Sequence, residues 1–92
     1  MRLLVTTSFV RATKKLHPPQ KSELDSALKL LQADPLLGEA KVGNLMGVRV
    51  FKFRLSQQLC LIAYRILDKD SIKLLIFWSH ENFYRDLKRQ AD

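Results

Sequence analysis

The sequence predicts an α+β fold in which two N-terminal helices pack on a four-stranded, mainly antiparallel sheet, followed by a short C-terminal helix. Three observations support this prediction. The chain has 92 residues, which is the size of one domain covering 1–92. Its first half carries apolar residues at helical spacing, whereas its second half carries runs of β-branched and aromatic residues. Gly and Pro number three each, so regular elements should be joined by short connections.

The N-terminal half predicts one strand and two helices. Residues 2–7 are interpreted as a short strand, and Ser8 is a candidate N-cap for the first helix. The segment His17-Pro18-Pro19 ends that helix because proline cannot donate a backbone hydrogen bond, and His17 is interpreted as a loop residue. The second helix is predicted from about Pro19 to Ala33, with a loop after it through Gly47. Its apolar face is formed by Leu24, Ala27, Leu28 and Leu31.

The C-terminal half predicts three strands and a helix. The segments 48–55, 59–67 and 72–79 are rich in Val, Ile, Phe, Tyr and Leu. Only Ser56–Gln58 and Asp68–Asp70 separate them, and connections this short predict hairpins and an antiparallel meander. Residues 81–90 are polar and predict the short C-terminal helix. The second face of the sheet would then be available for binding.

The charge balance indicates an anionic partner. Sixteen Lys and Arg residues against nine Asp and Glu residues give a net charge of +7 and a pI of about 9.9. A small domain of this charge attracts polyanions, and nucleic acid is the leading candidate. The alternative is a basic protein that binds nothing anionic.

Several other functional classes find no support in the sequence. Cys60 is the single cysteine and lies in an apolar run, which favours a buried structural thiol over a nucleophile. The two histidines have no partners at zinc-ligand spacing, and there is no P-loop, so neither a metal nor another cofactor is expected. No segment resembles a signal peptide or a membrane span, which predicts a cytoplasmic protein.

A gap in the acidic residues marks one candidate site. No Asp or Glu occurs between Glu39 and Asp68, whereas five cations do. Strand periodicity places Lys52 and Arg54 on one face, about 7 Å apart, a spacing that suits adjacent phosphates. The alternative is a solvated sheet face whose cations extend past apolar neighbours. The five cations are Lys41, Arg49, Lys52, Arg54 and Arg65.

The C-terminal segment marks a second candidate site. His80 stands where an apolar strand ends, and Tyr84 follows four residues later, on the same face of a helix. One such group can take the 2′-hydroxyl proton of RNA, another can protonate the leaving 5′-oxygen, and cations can stabilise the phosphorane, without a metal. The alternative is that His80 caps the helix and Tyr84 packs it onto the sheet.

The chain resembles the RelE/ParE toxins of type II toxin–antitoxin systems over nearly its whole length. The resemblance rests on the order of elements and on four segments. These are Leu37–Val50, the Lys-Phe-Arg strand at 52–54, Leu-Ile-Ala-Tyr-Arg at 61–65, and His-Glu-Asn-Phe-Tyr-Arg-Asp-Leu at 80–87. It implies a small α+β fold and a cognate cytoplasmic antitoxin protein encoded nearby. RelE-like members cleave mRNA in the ribosomal A site, and ParE-like members inhibit DNA gyrase.

The resemblance also implies roles for individual residues. Lys52 and Arg54 match the basic pair on the strand after the loop, His80 matches a strand-end His or Arg, and Tyr84 matches a C-terminal tyrosine. These four are the expected catalytic residues. The remaining cations of the two candidate sites are expected to contact RNA, namely Lys41, Arg49, Arg65 and Arg85.

One position departs from the family pattern. Some RelE-like nucleases carry an arginine near the position of Leu61, whereas the nearest arginine on that strand here is Arg65. Either Arg65 or Arg49 substitutes for it, or the catalytic set is incomplete. Three hypotheses therefore stay open: a ribosome-dependent mRNA endonuclease, a non-enzymatic gyrase inhibitor, and a plain binding module or decayed toxin.

Overall fold

The computed structural model of the protein describes residues 1–79. The predicted C-terminal helix at 81–90, together with His80, Tyr84 and Arg85, lies outside the described residues. Within residues 1–79, two helices pack on a mixed five-stranded sheet, so the predicted α+β class is confirmed. The elements are β1 (Arg2–Val5), α1 (Thr7–Lys14), α2 (Pro18–Ala33), β2 (Glu39–Ala40), a 3-10 turn (Gly43–Leu45), β3 (Arg49–Leu55), β4 (Gln58–Asp68) and β5 (Ser71–Ser79).

The sheet has the strand order β1-β5-β4-β3-β2. The predicted meander is confirmed, because β3, β4 and β5 pair antiparallel in sequence order. The first strand pairs parallel with the last one, Arg2 opposite Ser71 and Val5 opposite Leu74. The predicted count of four strands was wrong by one. Residues 39–40, assigned to a loop, form the short edge strand β2 against β3, and two residues are too few to show a strand period.

The start of α1 differs from the prediction. Thr6, not Ser8, is the N-cap, and its hydroxyl oxygen accepts a hydrogen bond from the Phe9 N–H at 3.1 Å. The same hydroxyl donates to the Leu75 carbonyl at 2.6 Å. Leu75 lies in a β-bulge of β5, where the register against β4 shifts. Thr6 therefore caps the helix and satisfies a bulge carbonyl at once, which Ser8 within the helix does not do.

The second helix begins one residue earlier than predicted. Pro18 and Pro19 occupy its first two positions, where a missing backbone N–H costs nothing. His17 is the N-cap residue of this helix and not a plain loop residue, and its backbone N–H donates to Gln20 Oε1 at 3.0 Å. The break between the helices is thus tightly organised.

The helices cover one face of the sheet and form the main core there. Tyr64 and Ile62 from the central strand β4 are fully buried in it, as are Leu31 from α2 and Leu74 from β5. Phe9 packs edge-on against Phe77, with ring centroids 6.4 Å apart. This face uses every second residue of β3 and β4, as the strand period requires.

The turn between β3 and β4 has two residues, Ser56 and Gln57. Their φ angles of 51° and 71° are both left-handed, the requirement of a type I′ hairpin turn. Glu23 of α2 accepts the Ser56 N–H through its Oε2 at 2.6 Å. The hairpin tip is therefore tied to the helical layer.

Candidate nucleic-acid surface

The sheet face opposite the helices has an apolar centre formed by a second cluster of buried residues. Leu61 and Ala63 of β4 are fully buried in this cluster, together with Ile76 of β5. Leu45 of the 3-10 turn is buried in the same cluster, and Trp78 packs against it. This apolar centre gives the cations around it a rigid base.

Lys52 and Arg54 lie on this face, as predicted. Val50, two residues before Lys52, belongs to the opposite-face cluster, whereas Leu55 and the partly buried Phe51 and Phe53 pack on the helix side. Both cations are exposed. Arg54 Nη1 donates to the Gln57 carbonyl at 3.1 Å, which holds the guanidinium near the hairpin turn. The sheet thus presents two neighbouring cations to solvent from one strand.

Arg65 also lies on this face, and the register adds Lys73, which was not among the predicted site residues. Lys73 is exposed and pairs directly with Arg65 across β4 and β5, so both side chains leave the same face. Like charges opposite each other repel, and a bound anion relieves that repulsion. The sequence feature that could have predicted this position is a single lysine within a strand whose other residues are mostly apolar.

Arg65 has a structural contact as well. Its Nη1 donates to the Met46 carbonyl at 3.4 Å, and a Cβ added to Gly47 would lie 2.6 Å from the same nitrogen. Gly47 has a φ of +87°, which also favours glycine. Leu61 stands near the position where some RelE-like nucleases carry an arginine. It is fully buried between its register partners Lys52 and Trp78.

Arg49 is not placed with Lys52, whereas Lys41 lies at the edge strand beside Val48. Arg49 points to the helix side, where its Nε donates to the Gly38 carbonyl at 2.9 Å and its Nη2 to the Leu36 carbonyl at 3.2 Å. Lys41 Nζ lies 3.6 Å from Glu39 Oε1. Arg49 therefore positions the loop after α2.

Tyr64 fixes the same loop from inside the core. Its hydroxyl donates to the Pro35 carbonyl at 2.5 Å and accepts the Gly38 N–H at 2.9 Å. A Cβ on Gly38 would stand 2.5 Å from that hydroxyl, so only glycine fits. The loop that orients Arg49 is thus held by a buried phenol.

A cleft of about 440 Å³ opens beside the end of β5, and none of the residues that line it was predicted as a site residue. Arg11 of α1 and Lys15, the C-cap residue of α1, line one side, and Phe77 and Trp78 of β5 line another. The Trp78 indole N–H is buried without a hydrogen-bond acceptor in residues 1–79. The available signal was the lack of any Asp or Glu in the first 22 residues, which contain Arg11 and Lys15.

Cys60 is buried, as predicted. Burial raises the pKa of its thiol, so the thiolate needed for nucleophilic attack is disfavoured. In the described part of the chain, no three His, Cys, Asp or Glu residues are grouped to hold a metal ion. Neither helix of residues 1–79 has the length and apolar character needed to cross a membrane.

The fold is shared with solved toxin structures from E. coli. The intact RelBE toxin–antitoxin complex gives a TM-score of 0.66 at 17% identity, covering 82% of this chain and 90% of that one. A double mutant of free RelE gives 0.68 at 18% identity, covering 95% and 94%. Isolated RelE gives 0.66 at 17% identity, covering 96% of each chain. Identities this low establish the fold alone.

The sequence itself identifies the family. No curated protein sequence matches the chain. A family model described as the ParE-like toxin of type II bacterial toxin–antitoxin systems matches residues 3–88, nearly the whole length. The match spans the helices, the meander and the loop held by Tyr64. The protein is therefore a member of the RelE/ParE family, a toxin of the type II toxin–antitoxin class.

Proposed function

We propose that this toxin is a metal-independent, ribosome-dependent mRNA endonuclease that inhibits translation in the cytoplasm. The observation that carries the proposal is the pair Lys52 and Arg54, both exposed on the same face of a rigid strand. Two fixed cations at this spacing suit one phosphodiester and its neighbour. The like-charged pair Arg65 and Lys73 extends the basic surface across the sheet.

The proposed chemistry uses side chains alone. One of His80 and Tyr84 accepts the proton of the 2′-hydroxyl, whose oxygen attacks the adjacent phosphorus. Lys52 and Arg54 stabilise the extra negative charge on the phosphorane. The other of His80 and Tyr84 protonates the departing 5′-oxygen, which leaves a 2′,3′-cyclic phosphate and a free 5′-hydroxyl. His80 and Tyr84 enter this scheme from the family resemblance.

The nuclease reading is tested by primer extension on a reporter mRNA after expression in cells. We expect cuts in phase with codons, absent in His80→Ala and strongly reduced in Tyr84→Phe. Purified toxin that has been treated with EDTA, and then freed of it, should cleave the same mRNA on ribosomes as fast as untreated toxin does. Intact mRNA in cells whose growth has stopped would contradict the nuclease proposal.

We also propose that a cognate antitoxin protein binds the toxin. Support comes from the E. coli structures, in which RelE is seen with RelB and with a peptide of RelB. The net charge of +7 favours an acidic partner segment. Co-purification of the product of the neighbouring gene tests this, and a stable monomer that ignores that product would contradict it.

A second candidate function is inhibition of DNA gyrase without catalysis. The observation that favours it is Leu61, which is fully buried where some RelE-like nucleases carry an arginine. The ParE-like description of the matching family model also favours it. A supercoiling assay separates the two functions, because inhibited supercoiling with intact mRNA fits only the gyrase reading.

A further inference from the structure

The cleft beside the end of β5 is separate from the exposed pair Lys52 and Arg54. It begins where β1 has ended and β5 continues as an edge, so that α1 forms the opposite wall. Its volume of about 440 Å³ falls in the range of pockets that hold one small ligand. Nothing in the proposed cleavage chemistry uses this cleft.

The charge of the cleft selects an anion. Arg11 lies in α1 and Lys15, four residues later, is the C-cap residue of this helix, so both side chains lie on one side of the helix end, and both are exposed. None of the described residues that line the cleft is acidic. The nearby Glu23 does not line it and is engaged with the Ser56 N–H. An occupant with negative charge is therefore favoured on this wall.

The floor of the cleft selects a flat, partly apolar group. Phe77 and Trp78 supply aromatic surface, and Leu16 and Leu55 supply aliphatic surface. Aromatic side chains beside cations are the combination that holds unpaired nucleotides, the rings through stacking and the cations through phosphate contact. Gln58 also lines the cleft, and its carboxamide can donate to and accept from a base edge.

We propose that this cleft binds one nucleotide of single-stranded RNA, with the base on the apolar floor at Phe77, Leu16 and Leu55 and the phosphate at Arg11 and Lys15. The inference deepens the proposed nuclease function and rests on it for its biological meaning. The hairpin turn connects the two places, because Gln58 lines the cleft while Arg54 is bonded to the Gln57 carbonyl. An RNA strand passing this turn reaches both sites.

The competing occupant is an acidic segment of a protein. A peptide helix needs an elongated apolar groove for contacts at i, i+3, i+4 and i+7. The cleft instead offers room for one compact group and places two aromatic residues beside two cations. These observations favour a nucleotide.

The chain contains a single tryptophan, Trp78, so its fluorescence reports on the cleft directly. The purified full chain is titrated with uridine 5′-monophosphate, with ribose 5-phosphate and with hexaglutamate. We expect saturable quenching by uridine 5′-monophosphate, and at least about tenfold weaker binding of ribose 5-phosphate, which lacks the stacking base. The variant Arg11→Gln/Lys15→Gln should bind the nucleotide about tenfold more weakly. The matched control Lys14→Gln/Lys29→Gln removes the same charge from two exposed residues, one in α1 and one in α2, that do not line the cleft, and should bind as the wild type does.

Three results would overturn the proposal. They are equal binding of nucleotide and ribose 5-phosphate, equal loss in the cleft variant and its control, and tighter binding of hexaglutamate than of the nucleotide. Thermal unfolding checks that both double variants are folded, which is expected because all four side chains are exposed. Lys52→Gln/Arg54→Gln should retain nucleotide binding in the cleft. Absence of mRNA cleavage by the wild type would contradict the nuclease function while leaving the nucleotide titration valid.

Discussion

The two faces of the sheet differ although the same strands build both. The helix-covered face is closed: α2 contributes Leu31, β4 contributes Ile62 and Tyr64, and all three are fully buried. The opposite face has a buried apolar centre but carries the exposed cations Lys52 and Arg54 at its margin. Alternation along one strand thus puts the helix-side core and the exposed cations on opposite faces, so removal of these cations should leave the stability of the fold unchanged.

The largest effect is expected on the open face. Lys52→Gln/Arg54→Gln should slow mRNA cleavage on the ribosome by about 10³-fold, because two charges that stabilise the transition state are removed. The unfolding temperature should stay at the wild-type value, since both residues are exposed. Single-turnover cleavage assays measure the first quantity and circular dichroism the second. Lys14→Gln/Lys29→Gln is the charge-matched control, and an equal loss there would assign the effect to net charge.

Variants of the helix-covered face should lower the free energy of unfolding. Leu31→Ala removes a fully buried side chain from α2 and should lower the free energy of unfolding by about 3 kcal/mol. Its neighbour Leu30 is 56% exposed, so Leu30→Ala should cost only about 0.5 kcal/mol. Urea unfolding of both variants gives the comparison. Equal losses would mean that α2 does not pack on the sheet through Leu31.

A smaller effect is expected when the hydrogen bonds between the Tyr64 hydroxyl and the loop after α2 are removed. Tyr64→Phe leaves the ring in place but removes the acceptor of the Gly38 N–H and the donor to Pro35. We expect a loss of about 1–3 kcal/mol in unfolding free energy. Amide hydrogen exchange should quicken at Gly38 before it does in β4. Unchanged exchange at Gly38 would argue against the hydrogen bond to the hydroxyl.

The smallest effect concerns the turn between β4 and β5. Asp68 Oδ1 accepts from the Asp70 N–H at 2.8 Å and from the Ser71 hydroxyl at 2.9 Å, and these bonds lower the pKa of Asp68 below its ordinary value. A lowered folded-state pKa stabilises the fold above about pH 4, and this contribution is lost as the pH falls through the folded value. Asp68→Asn should therefore be slightly less stable than the wild type at pH 7, and the difference should vanish near pH 2. A difference that persists at pH 2 would exclude the carboxylate charge as its cause.

The sequence predicted most of what depends on periodicity. The meander, the second helix and the shared face of Lys52 and Arg54 follow from spacing along one element, and all are present. The strand β2 and the contacts of Arg49 depend on the path of the loop after α2. That path is set by Tyr64, 26 residues beyond Gly38, through a tertiary hydrogen bond that no local pattern reveals.

The choice of N-cap failed for a similar reason. Thr6, Thr7 and Ser8 are all competent caps in isolation. Thr6 is selected because its hydroxyl also reaches the Leu75 carbonyl, which lies 69 residues away. The cleft beside β5 escaped prediction because its walls come from α1, the β3–β4 hairpin and β5. Lys73 is different, because the alternation of side chains along its strand predicts the sheet face on which it lies.

The parallel pairing of β1 with β5 has a consequence for synthesis of the toxin. Arg2 pairs with Ser71, and Val5 with Leu74, so within residues 1–79 the first strand has no partner strand until β5 has been translated. Such distant pairing delays folding, because the loop between the strands must close first. A nascent chain that stops before β5 leaves β1 and α1 without their sheet neighbour. We therefore expect a product truncated before β5 to stay unfolded, because β1 and β4 both lose the strand that lies between them in the sheet.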